Sequence, residues 1–155
     1  MTNTALSLSR LLTALLLLTT GLMACSDTNS PAPTAASQTE LLVGNNWRVS
    51  NVTDASGATL NRNRLNLTTN LLFDLNMQFR NDNTVRALDP TQGNIVVNGG
   101  TWTLATDNKS IDVDVKQFKG NFPLIELNRS KMILRQSAPV DGKDTPINLE
   151  FSPAL

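Results

Sequence analysis

Beyond Leu41 the chain alternates apolar and polar residues with a period of two, the pattern of strands that bury one face. Trp47 and Val49 alternate with Arg48 and Ser50. Phe73, Leu75, Met77 and Phe79 alternate with Asp74, Asn76, Gln78 and Arg80, the cleanest run in the sequence. Asn81-Asp82-Asn83 reads as a turn before Thr84–Leu88. Gly99-Gly100 opens Thr101–Ala105, which puts Trp102 and Leu104 on one face. After a turn at Thr106–Lys109, Ile111, Val113 and Val115 alternate with Asp112, Asp114 and Lys116. Leu124–Leu127 and Met132–Leu134 flank Asn128-Arg129-Ser130, and Ile147, Leu149 and Phe151 close the series. Eight strands joined by short Asn, Asp and Gly turns predict an antiparallel sheet with one solvated face. Closing that sheet into a barrel removes its edges. A β-sandwich is the alternative, because two packed sheets show the same alternation.

Two stretches break the period. Asp54–Leu72 is long and rich in Asn and Leu, and reads as either a short helix capping one barrel end or a lid loop. At most one short helix is expected in the domain, residues 40–155. At the N-terminus, Arg10 precedes an apolar run from Leu11 to Ala24. That run is shorter than the roughly 20 residues that cross a bilayer, and small residues at its end describe a secretory signal over residues 1–24. Residues 25–39 follow as a tether, SDTNSPAPTAASQT after Cys25. With no large apolar residue it cannot bury a core, and it is expected to be disordered, reaching on the order of 20 Å.

Leu22-Met23-Ala24-Cys25 resembles the lipobox of bacterial lipoproteins. The resemblance implies cleavage before Cys25, a diacylglyceryl group on its thiol, and acyl chains such as palmitate on the new amino group. Two or more chains anchor firmly where one does not. Ser26 after the cysteine, with Asp27 only beyond it, implies outer-membrane sorting, on the periplasmic face or the cell surface. The domain in turn resembles the lipocalin-like domains of lipoproteins from Bacteroidetes-type bacteria. Leu42-Val43-Gly44-Asn45-Asn46-Trp47, Met77-Gln78-Phe79, Gly100-Thr101-Trp102-Thr103-Leu104 and Ile125-Glu126-Leu127-Asn128 with Met132-Ile133-Leu134 carry that likeness. It implies a small antiparallel lipocalin-like barrel of about eight strands, with Trp47 plugging one end. Lipocalins proper have one residue between the Gly and Trp of the first motif, where Gly44 and Trp47 are separated by two. Thr106-Asp107-Asn108 stands where their second motif has Thr-Asp-Tyr. The barrel is therefore implied, but not a set of inherited ligand residues.

Composition narrows the chemistry. The 155 residues contain 13 basic and 13 acidic groups; without Arg10 and the signal, 12 basic face 13 acidic. Such a surface gives nucleic acid no basic stripe to follow. There is no His and no Tyr, and Cys25 is the sole cysteine. Zinc sites built on His or Cys and His-assisted nucleophiles are thereby excluded. No convergent carboxylate or Ser/Lys set stands out, so the chain is read as a non-enzyme with no catalytic residue, no metal and no cofactor. Asp112 and Asp114 share a strand face, but it is the solvated one. Asp141-Gly142-Lys143-Asp144 reads as a hairpin turn rather than a calcium loop. Arg62 and Arg64 fit either surface solubility or an anion clamp at a barrel mouth. No glycan is assigned to the Asn-x-Ser/Thr triplets at Asn51, Asn66, Asn108 and Asn128.

The inward set is almost wholly apolar: Trp47, Phe73, Met77, Phe79, Trp102, Leu104 and Val113. If the barrel is hollow these side chains line a cavity for a small apolar ligand, which is the leading functional expectation for a membrane-anchored module. If they fill it, the alternative is a structural or protein-interaction module of the cell envelope. Both tryptophans fit either role, cavity wall or packed core.

Overall fold

The computed structural model describes residues Ser37 to Ala154; Cys25, the signal and the tether as far as residue 36 lie outside the described residues, as does Leu155. Strands β1 (Asn46–Asp54), β2 (Asn76–Phe79), β3 (Thr84–Asp89), β4 (Ile95–Leu104), β5 (Ser110–Val115), β6 (Phe118–Leu127), β7 (Met132–Val140) and β8 (Lys143–Pro153) follow one another up and down. Each pairs antiparallel with its neighbour, and β8 pairs with β1, so the sheet is a closed eight-stranded barrel of lipocalin-like form. This excludes the sandwich alternative.

Alternation dictates the wall. Ile111, Val113 and Val115 are buried while Asp112 and Asp114 are exposed. Fully burying one aliphatic side chain stabilises by about 1.5–3 kcal/mol, so a one-residue slip in β5 would forfeit three such contributions. Asp112, Asp114 and Lys119 stand exposed on the outside. Apolar inside and charged outside is the inverse of a barrel that faces lipid.

Local chemistry sets the turns. Asp54, Asp82 and Asp89 each accept hydrogen bonds from the backbone N–H and the hydroxyl of the Ser or Thr two residues on. Those bonds, the hydroxyl's first, hold all three carboxyls below their ordinary value of 3.8. Asn128 makes the same turn with Ser130. Asp141 and Gly142 are both left-handed, with φ of 51° and 79°, which fits the two-residue hairpin turn that matches strand twist.

Several sequence expectations need correction. Among the described residues there are two short α-helices, α1 (Gln38–Val43) and α2 (Leu67–Leu71), together with 3-10 turns at Arg62–Arg64, Leu72–Asp74 and Pro90–Gln92. Helix α1 takes in Gln38 and Thr39, the last residues assigned to the tether. Its start is fixed by a capping box: the Ser37 hydroxyl accepts from the Glu40 N–H, and the Glu40 carboxylate accepts from the Ser37 N–H. Phe73 begins no strand; it sits in a 3-10 turn, and β2 starts at Asn76. Asn76, expected outside, is buried and donates to Asn94 Oδ1. Gly99-Gly100 opens nothing, since both lie inside β4. A Cβ on Gly100 would lie 1.8 Å from the Asp114 carbonyl oxygen, so the residue is there for close strand approach. Strands β7 and β8 are also longer than their hydrophobic runs, carrying Pro139 and Pro146 within them.

Candidate functional site

The inward apolar set is found mostly in the core. Trp47 is fully buried, and Met77, Phe79, Trp102 and Val113 keep less than a twentieth of their surface. Leu104 and Phe73 are only partly buried and pack against the core. The Trp47 indole N–H donates to the Leu42 carbonyl (2.9 Å), and that of Trp102 to the Arg80 carbonyl (3.0 Å). Phe79 and Trp102 meet edge to face at 5.5 Å. Side chains with no surface to spare leave none for a ligand. Along its axis this barrel is filled, and Leu42, Leu60, Leu65 and Leu72 from outside the strands complete the packing.

Space appears instead in the wall. Strand β6 pairs with β7 only through Leu124–Leu134, Glu126–Ile133 and Leu127–Met132, with a bulge at Ile125. A bulge bends its strand away from the partner. Below it, β6 from Phe118 to Pro123 pairs only with β5, and β7 from Arg135 to Pro139 pairs only with β8. The two strands part, leaving a fissure of about 390 Å³ roofed by α2. Gln117–Phe122 form one side, Gln136–Pro139 the other, and Asn66, Thr68, Thr69 and Leu72 the roof. Gly120 carries no side chain between Phe118 and Phe122, and their rings stack across it at 4.5 Å, 15° from parallel. Lys119 is the only ionisable residue in the lining. With the Lys119 charge met by Asp114, the fissure is an amide- and hydroxyl-rimmed slot bearing half-buried Phe118 stacked on buried Phe122, with no acid–base pair in its lining.

The roof is held by polar contacts. Asn66 caps α2 by accepting from the Thr69 N–H (2.8 Å). Asn70 donates to the carbonyls of Arg62 and Leu65, while Arg62 donates back to Asn70 and lies 4.2 Å over the Phe73 ring. Arg64 pairs with Asp141 at 2.8 Å, and the Asp141 N–H donates to the Arg64 carbonyl. Leu65 bridges to Val140 alongside β7. Arg62 and Arg64, read as a possible anion clamp, are thus engaged in fastening the lid. Asp112 accepts from Asn121 and Asp114 pairs with Lys119, both on the outer face.

Compared with known proteins, the chain matches no protein-family model and no curated protein.

Proposed function

We propose that this chain is a lipid-anchored binding module of the bacterial cell envelope, a lipocalin-like lipoprotein of the outer membrane, and that it binds a small neutral ligand in the fissure between β6 and β7. The observation that carries the reading is the fissure itself: an open site of about 390 Å³ with a stacked phenylalanine pair, beside an axis already packed with side chains. That volume falls in the ordinary range of small-molecule sites, roughly 300–1,000 Å³. An apolar or ring face lies on half-buried Phe118, backed by buried Phe122, while Thr68, Asn66 and Gln136 offer hydrogen bonds to polar groups at the rim. A charged ligand is disfavoured, because the one cation in the lining, Lys119, is already paired with Asp114 at 2.8 Å. With no acid–base pair in the lining, the site is read as a binding site and not a catalytic one.

An uncharged apolar dye serves as the probe. Its fluorescence should rise on binding, and Phe118→Ala should weaken binding by about 2–10-fold, the worth of one aromatic contact. Trp102→Phe, in the filled axis, should leave it unchanged. Absence of binding, or loss at Trp102→Phe without loss at Phe118→Ala, removes the fissure reading. Anchoring has its own test. The lipobox at Cys25 supports it, and Cys25→Ala should release the chain from membranes or leave it uncut; a variant that stays cut and membrane-bound refutes it.

A further inference from the structure

Among the described residues, one stretch of strand edge in β4 has no second strand beside it. From Ile95 to Gly99, β4 pairs with β3 alone, through Asp89–Ile95, Leu88–Val96, Ala87–Asn98 and Arg86–Gly99. Its pairing with β5 starts only at Gly100–Val115. On the far edge of this stretch, Asn98 Nδ2 donates to the Lys116 carbonyl at 2.9 Å. Ile95, Val96 and Val97 are each about half exposed, at 49, 52 and 47%. Three consecutive β-branched residues open to solvent mean that both faces of the ribbon are bare.

Exposed edges are usually protected by charge, proline or cover. The free edges beside the fissure follow that rule, with Lys119 and Pro123 on β6 and Pro139 on β7. Strand β4 does not: no charged residue occurs from Pro90 to Thr106. Its protection is limited to the bulge at Val97, which twists the edge, and to the Asn98–Lys116 bond beyond it.

The sequence of this edge reads nearly the same in both directions. Gly93-Asn94-Ile95-Val96-Val97-Asn98-Gly99 is symmetric about Val96, apart from the exchange of Ile95 for Val97. Laid antiparallel against a second copy, Val96 faces Val96 and Ile95 faces Val97; Gly93 and Asn94, both left-handed with φ of 71° and 62°, lie before the strand and add no further pair. Like charges directly opposite destabilise a strand pair, and self-pairing of most strands meets that penalty; here there is no charge to meet. The β-branched pairs are of the kind that stabilise sheets.

We propose that β4 is a self-association edge, and that two copies of this chain join antiparallel through Ile95–Val97 with Val96 on the two-fold axis. A two-fold contact uses the same patch on both partners and closes on itself. It does not depend on what the fissure binds.

Cysteine cross-linking of the full chain in membranes of the expressing cells tests the contact. Opposed residues in antiparallel strands lie about 4.5–5.5 Å apart between α-carbons, within the roughly 4.4–6.8 Å that a disulfide spans. Under mild oxidation, Val96→Cys should give a disulfide-linked dimer several-fold above both the unaltered chain and Ser130→Cys, an exposed turn position at the opposite barrel end. Any link through Cys25 is common to all three and is thereby subtracted. Adding Val97→Lys, or Ile95→Lys if that variant folds poorly, should return the yield to the control level. A Val96→Cys yield no greater than that of Ser130→Cys, a dimer that persists with the added lysine, or linkage of Val96→Cys to a different protein overturns the proposal.

Discussion

At one end of the barrel α1 lies across the opening, with Leu42 and Trp47 fully buried and joined by the indole hydrogen bond. The turns there are tight, and the chain after β8 is tied back by the Ala154 N–H to the Asn46 carbonyl. At the other end residues 55–75 fold over the mouth. That lid contributes Leu60, Leu65 and Leu72 to the core, yet leaves Leu67 and Leu71 largely outside. Much of its fastening is polar: the Arg62–Asn70 bonds and the Arg64–Asp141 pair, whose side chains remain about half exposed. Apolar burial removes surface from water over the whole contact and cannot be released piecemeal. An exposed ion pair competes with water and salt at every moment. One end is thus held by buried apolar contacts, while the other adds exposed polar fastenings to the burial of three leucines, and the fissure lies under it.

The largest expected effect falls on the plug. Trp47→Ala removes a fully buried indole and leaves a cavity against Leu42, at a cost of about 3–5 kcal/mol for such a truncation. That is a large part of the roughly 5–15 kcal/mol that holds an ordinary domain together. Denaturant unfolding of the variant should show a midpoint far below that of the unaltered chain. A shift under 1 kcal/mol, on the scale of an exposed ion pair, would mean that the two ends are held by comparable forces and would break the contrast drawn between them.

The period-two pattern made all eight strands legible because each has to bury one face and wet the other. It failed where the same pattern has another cause. Phe73 and Leu75 continue the alternation of Met77 and Phe79, but α2 runs directly into the turn that carries Phe73, and backbone hydrogen bonding won over side-chain spacing. Helix α1 had a readable signal in Ser37 and Glu40, the capping spacing, which lay at the margin of a stretch taken for tether. Pro139 and Pro146 concealed the length of β7 and β8, since proline ordinarily marks the end of a strand. The inward direction of Trp47, Met77, Phe79, Trp102 and Val113 followed from alternation. Whether they line a space or fill it depends on barrel radius and on side chains from outside the strands, which no local pattern records. The fissure was illegible for a similar reason: it exists because pairing between β6 and β7 stops at Leu124–Leu134, a property of two strands together.

The smallest expected effect falls on the roof, and it sharpens the contrast most. Arg64→Ala deletes the pair with Asp141 but leaves the Leu65–Val140 bridge and the backbone bond from the Asp141 N–H in place. Both charged groups are about half exposed, so the loss in global stability should not exceed about 1 kcal/mol. Local opening should respond out of proportion, because a segment fastened by few contacts opens without unfolding the remainder. Amide hydrogen exchange of Thr69 to Leu72 should therefore quicken in the variant, while that of Ile111 and Leu149, both fully buried in the wall, should follow only the small global change. Raising salt on the unaltered chain should shift the same lid amides in the same direction, since screening weakens exposed pairs. Arg64→Ala should respond to salt less, having lost the pair that salt screens. Equal acceleration throughout the barrel would show that the lid unfolds only with the whole, and the mouth above the fissure would then be as fixed as the end that Trp47 closes.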